Sequence, residues 1–162
     1  MTLLLALLLW QPPARDSIDP FKGTWVLIPE SAAAIKPAID RSVARMNFLI
    51  RGVARSRLTA RNPASSAIEV RREPHQLHLR IEGFTNRPHP LNGETWRRRT
   101  QDGEVDIRLT RLADGFATSH TNNDGSRENR FEIKDAILHM HVTITSRYLT
   151  EPVRYTLRYQ RQ

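Results

Sequence analysis

The chain has 162 residues, a length that fits one domain, and no cysteine, which excludes a disulfide framework and thiol chemistry. Its formal charge of +8 is carried mostly by arginine, a side chain whose fork of donors suits carboxylates, phosphates and other planar anions. The only dense basic run outside that general scatter is Trp96-Arg97-Arg98-Arg99.

Residues 1–10 form an apolar run, Met-Thr-Leu-Leu-Leu-Ala-Leu-Leu-Leu-Trp. It is too short to cross a bilayer, which takes ~20 apolar residues, and has the length of a signal-peptide core. Residues 1–18 are therefore set apart as a signal peptide or disordered N-terminal segment, and 19–162 as the folded domain. The expectation is export to the periplasm or beyond, with cleavage between about residues 10 and 20. N-terminal sequencing of protein from its host tests this, and an intact Met1 in the cytoplasmic fraction would contradict it.

The first strand-like run begins at Gly23-Thr24-Trp25 and ends at Pro29. A helix is predicted over 37–60. Pro37 suits a first helical turn, and Ile35, Ile39, Val43, Met46, Ile50 and Val53 recur at helical spacing. Arg41, Arg45 and Arg55 fall on the opposite face, and Asn62-Pro63 stops the helix.

From Ala67 the period switches to two. Ile68 and Val70 alternate with charges, as do Leu77, Leu79 and Ile81. A turn follows at 83–86, then a short proline-bearing edge strand over 87–91. Asn92-Gly93, Asp102-Gly103, Asp114-Gly115 and Asp124-Gly125 mark tight hairpins. Lys134-Asp135-Ala136 reads as a looser turn. The last strands carry Leu138, Met140, Val142 and Ile144, then Val153, Tyr155, Leu157 and Tyr159. Turns this short imply a meander of roughly nine to ten strands, and closure removes exposed edges. The predicted fold is mainly β, a single antiparallel up-and-down β-barrel with one helix between strands 1 and 2.

Gly23 lets the backbone approach a neighbour closely, and Trp25 supplies an apolar plate that can close the bottom of a barrel. In Gly23-x-Trp25 the chain resembles the lipocalin/calycin superfamily, whose members bind small apolar ligands inside a β-barrel. The helix after strand one, with none after the last strand, resembles the plan of the fatty-acid-binding proteins. The opening also resembles short bacterial secreted proteins that begin Gly-Thr-Trp. In lipocalins a late arginine packs over the tryptophan, and Arg158 or Arg161 is placed for that role. Fatty-acid-binding proteins hold the ligand carboxylate with Arg-x-Tyr on the last strand. Here Arg154 and Arg158 adjoin Tyr155 and Tyr159, so Arg and Tyr face opposite sides and that pair does not carry over.

Alternation also says which polar groups turn inward. Trp96 brings Arg98 and Thr100 with it, Phe116 brings Thr118, His120 and Asn122, and Phe131 brings Asn129 and Arg127. An apolar interior with a few converging donors suits an amphiphile with an anionic head. The predicted ligand-binding residues are Arg98, Thr118, His120, Arg127 and Asn129, with Gly23 and Trp25 closing the barrel. The alternative is an envelope-associated module that binds anionic lipid or polymer through outer arginines. No Gly-x-Ser-x-Gly, Walker loop, dinucleotide fingerprint or His-Glu-x-x-His occurs, so neither a catalytic residue nor a cofactor is assigned. Arg97 and Arg99 point away from Trp96, which leaves no stacking platform for nucleic acid. His139 and His141 share the outward face of their strand. A third ligand would have to come from elsewhere, such as His120, so no metal is assigned. A monomer is expected.

Overall fold

The computed structural model describes residues 18–82, 87–100 and 103–162. The export signal proposed for residues 1–18, apart from Ile18, lies outside the described residues, as do the turn at 83–86 and Asp102. Ten strands are described: β1 Gly23–Leu27, β2 Ala67–Arg72, β3 Gln76–Ile81, β4 His89–Pro90, β5 Thr95–Thr100, β6 Gly103–Leu112, β7 Gly115–Asn122, β8 Gly125–Lys134, β9 Ile137–Ser146 and β10 Val153–Arg161. They form one antiparallel sheet in the order β4-β3-β2-β1-β10-β9-β8-β7-β6-β5. β1 pairs with β10 as well as β2, so the first and last strands join and the sheet curls into a barrel. The seam lies between β4 and β5, where proline removes backbone donors at positions 88 and 90. The rings of His89 and Trp96 stand 6.1 Å apart across it.

The floor of the barrel is packed. Phe116 and Phe131 stack at 4.6 Å, and Phe21 meets Phe116 edge-on at 5.1 Å. Gly115 is obligatory here, since a Cβ would fall 2.0 Å from the Phe131 carbonyl oxygen. Trp25 is 1% exposed and donates its indole N–H to the Phe21 carbonyl at 2.8 Å. Of the two candidate arginines it is Arg161 that covers the ring, at 4.5 Å from its centroid. Arg161 also donates to the carbonyls of Lys22 and Pro20. Gly23 has φ +125°, so the chain can enter β1 directly beneath that guanidinium.

The single helix predicted over 37–60 is a pair, α1 Ile35–Val43 and α2 Phe48–Arg61, preceded by a 3-10 turn over Pro29–Ala34. The break comes at Asn47, whose side chain accepts the Leu49 N–H and so caps α2. The apolar stripe divides with it. Ile39 and Val43 on α1 are buried, whereas Ile50 and Val53 on α2 are each 54% exposed. The turn at Asp135-Ala136 is also tighter than predicted. Lys134 pairs directly with Ile137, and both intervening residues have positive φ.

Candidate ligand-binding site

The register lays the inward side chains out in rows from mouth to floor. In the upper row Trp96, Ile107, His120, Arg127 and Ile144 are successive cross-strand partners. In the row beneath, Leu109, Thr118, Asn129, Val142 and Tyr155 follow one another. Phe116 and Phe131 lie in the next row down. Polarity therefore falls with depth, because Phe116 and Phe131 fill the floor and carry their alternate neighbours up the same face.

Above the packed floor lies a cavity of about 800 Å3, within the size range of small-molecule sites. Its walls are α2 on one side and β5 to β9 on the other. Val105, Ile107 and Ile144 give it an apolar wall, and Ile50, Val53 and Leu58 give it an apolar lid. Arg98, His120 and Arg127 line it. Thr118 and Asn129 do not reach it. They are each 1% exposed and form a layer beneath it. Asn129 accepts from Arg127 Nε at 2.9 Å and donates to the Thr118 hydroxyl at 3.4 Å, so this pair holds the guanidinium from below. From the loop before β2, the Asn62 side-chain oxygen accepts from Arg127 Nη1.

Burial pulls the Arg127 pKa below its ordinary value, and nearby Tyr155 and Tyr159 oppose that fall. Burial likewise raises both tyrosines, while Arg127 offsets part of the rise. Neither phenol has a hydrogen-bond partner in good geometry among the described residues, although Tyr155 lies close enough to feel the guanidinium. The cavity is strongly biased in charge. Four arginines, Arg57, Arg61, Arg98 and Arg127, line it against one acid, Asp124. Asp124 is itself bridged to Arg147 at 2.7 Å.

Several of these residues escaped the sequence. Arg57 and Arg61 reach the cavity only because α2 folds back over it. Asn62 reads as a helix stop. Tyr155 and Tyr159 were legible as inward but carried no signal of standing beside an arginine two strands back in sequence. His89, 3% exposed on β4, was not singled out. At the seam, Trp96 meets Arg87 at 4.9 Å, and Arg97 pairs with Asp106 at 2.7 Å on the outside.

No protein-family model matches the sequence, and no curated protein matches it. Apo lipid binding protein 8 of Caenorhabditis elegans superposes with a TM-score of 0.58 at 14% identity, over 92% of this chain and 100% of that one. The Schistosoma mansoni fatty acid binding protein in complex with arachidonic acid gives 0.51 at 15%, over 90% and 98%. Zebrafish ileal bile acid-binding protein complexed with cholic acid gives 0.52 at 11%, over 88% and 99%. The fold is that of the fatty-acid-binding proteins. At these identities the likeness is one of fold, and it covers the helical pair after β1 as well as the barrel.

In this version of the fatty-acid-binding fold, the buried His89 and the half-buried His120 tie stability to pH. Burial pulls His89 to about 4. His120 is also pulled to about 4, by burial first and then by His89, Arg127 and Arg98. The unfolded chain, with ordinary histidines near 6.5, binds more protons than the folded one between those values. Stability is therefore complete above pH ~6.5 and falls as pH drops toward ~4, by on the order of 3 kcal/mol for His89 alone. Urea unfolding at pH 7.5, 5.5 and 4.5 should show that decline, with a shallower slope in His89→Gln. An unchanged slope in the variant would refute the assignment.

Proposed function

We propose that the protein binds a small hydrophobic or amphiphilic molecule with an anionic head group in the cavity between α2 and β5 to β9, as a carrier and not as an enzyme. One observation carries the reading: apolar walls enclose a space lined by four arginines and a single acid that is already paired outward. An apolar tail against Ile107, Ile144 and the underside of α2 would supply affinity at roughly 25 cal/mol per Å2 buried. The head would meet Arg127, held in place by Asn129 and Asn62, with Arg98 and His120 beside it. Thr118 and Asn129 then act as positioning residues. The S. mansoni and zebrafish neighbours carry carboxylate ligands, arachidonic and cholic acid, which supports the class proposed.

The test is displacement of a fluorescent anionic probe from the untagged protein by oleate and by oleyl alcohol, at low and high salt. The expected result is stoichiometric binding of oleate, about tenfold or more tighter than the alcohol, as a charged hydrogen bond allows. It should weaken little with salt. Equal affinity for both, or none, would contradict the proposal.

A second reading, an exported module that docks on an anionic envelope surface, draws on the tip of α2. Phe48 and Leu49 are 76% and 71% exposed there. Its arginines are partly committed, since Arg45 bridges Glu151 at 3.4 Å and Arg55 bridges Asp40 at 2.7 Å. Binding of this kind falls steeply with ionic strength, which separates it from the interior site.

A further inference from the structure

The outer face of the barrel carries a side-chain cluster that the cavity does not explain. His139 and His141 alternate with the buried Leu138 and Met140 on β9, so both rings stand outward. The register puts Glu132 of β8 directly opposite His139 and Thr156 of β10 directly opposite His141. One ligand atom from each of Glu132, His139 and His141 lies within 4.8 Å of the others. His120, the sequence's candidate third ligand, faces the interior instead.

We propose that Glu132, His139 and His141 form a surface site for a divalent transition metal, zinc by preference. Two imidazoles and a carboxylate are a zinc ligand set, and imidazole donors select against calcium and magnesium. Metal–ligand bonds of about 2.0–2.1 Å place tetrahedral ligand atoms about 3.3 Å apart. Glu132 Oε1 and His141 Nε2 already stand 2.9 Å apart, and a small rotation of the half-exposed His139 side chain closes the third position. The fourth position faces solvent and takes water.

A hydroxyl on the neighbouring strand orients one of the imidazoles. Thr156 Oγ1 lies 2.9 Å from His141 Nδ1 and fixes the ring plane. A hydroxyl can donate to Nδ1 while Nε2 carries the proton, and accept from Nδ1–H once Nε2 binds metal, so the same contact serves both states. Arg130, opposite His141, bridges Asp114 at 2.7 Å and reaches Glu132 only at 3.9 Å. Arg158 opposite His139, and Lys134 on β8, temper the site, which should be weaker than a closed structural zinc centre.

Calorimetric titration of the untagged full chain with zinc chloride tests this, with cobalt absorption as a second readout. The expected result is one zinc per chain. His139→Ala and His141→Ala should each weaken binding by about a hundredfold, and Glu132→Gln and Thr156→Val by about tenfold. His78→Ala, which removes the two-member His78–Glu73 pair, should leave it unchanged. Thermal unfolding without metal confirms that the surface variants remain folded. Zinc binding by the parent chain no tighter than by the His139→Ala/His141→Ala double variant would overturn the proposal. So would Glu132→Gln and Thr156→Val both retaining full affinity.

Discussion

Replacing Trp25 by alanine is expected to lower the free energy of unfolding by ~3–5 kcal/mol, the range for deleting a fully buried large aromatic. The indole is sealed at 1% exposure, and its loss opens a void where β1, β10 and the 3-10 turn over Asp19–Phe21 converge. The substitution also strands the Phe21 carbonyl and removes the surface on which Arg161 rests. Arg161→Ala should cost far less, since the arginine is mainly exposed and its loss leaves Trp25 in place. Urea unfolding measures both. A loss below 1 kcal/mol for Trp25→Ala would mean that the tryptophan does not close the barrel.

The second large effect falls on binding. Arg127→Met should weaken an anionic amphiphile by about 2–5 kcal/mol, the cost of removing one partner from a buried, hydrogen-bonded charge pair. A neutral molecule with the same tail should lose little. The fold should survive. Deleting the guanidinium removes its desolvation cost but leaves the side-chain oxygens of Asn62 and Asn129 without their donor, and these effects oppose each other. Net change in stability is expected below about 2 kcal/mol. Arg98→Ala should weaken oleate less than Arg127→Met, because Arg98 stands at the exposed rim. Parallel losses for the anionic and neutral molecules in Arg127→Met would instead assign Arg127 a purely structural part.

How much of this was legible depends on how local the signal is. The strand faces were, because period two fixes inside and outside residue by residue: Leu77, Leu79, Phe116, Phe131, Val142 and Leu157 are all buried as alternation requires. Asn92-Gly93, read as a hairpin, instead joins β4 to β5, which do not pair with each other. The hairpins at Asp114-Gly115 and Asp124-Gly125 were legible to within one residue, since Leu112 pairs with Gly115 and Asn122 with Gly125 and each glycine opens its strand. Asp135-Ala136 was not, since alanine rarely adopts positive φ and the strand pairing on either side imposes it. The helix break was hidden because Asn47 sits inside an apolar stripe that continues in phase across it. Only the capping contact to Leu49 shows that a new helix starts.

The site was legible in part. Alternation turned Thr118, His120, Arg127 and Asn129 inward together, but it says nothing of depth, and depth separates those at the cavity from those beneath it. That ordering needs the stagger of β7 against β8, which no single strand encodes. The contributions of Arg57 and Arg61 depend on how α2 lies over the mouth, a tertiary matter held by contacts such as Arg55 with Asp40.

The most direct measurement is two-dimensional NMR of isotopically labelled protein titrated with a long-chain carboxylate, following backbone amides and the arginine Nε–H signals. The account predicts that the largest shifts gather at Arg127, His120, Ile107 and Ile144, with the Arg127 Nε–H moving most, and that α2 responds along Ile50 and Val53. Shifts confined to the outer faces of the strands and the exposed tip of α2, with Arg127 unmoved, would contradict an interior site.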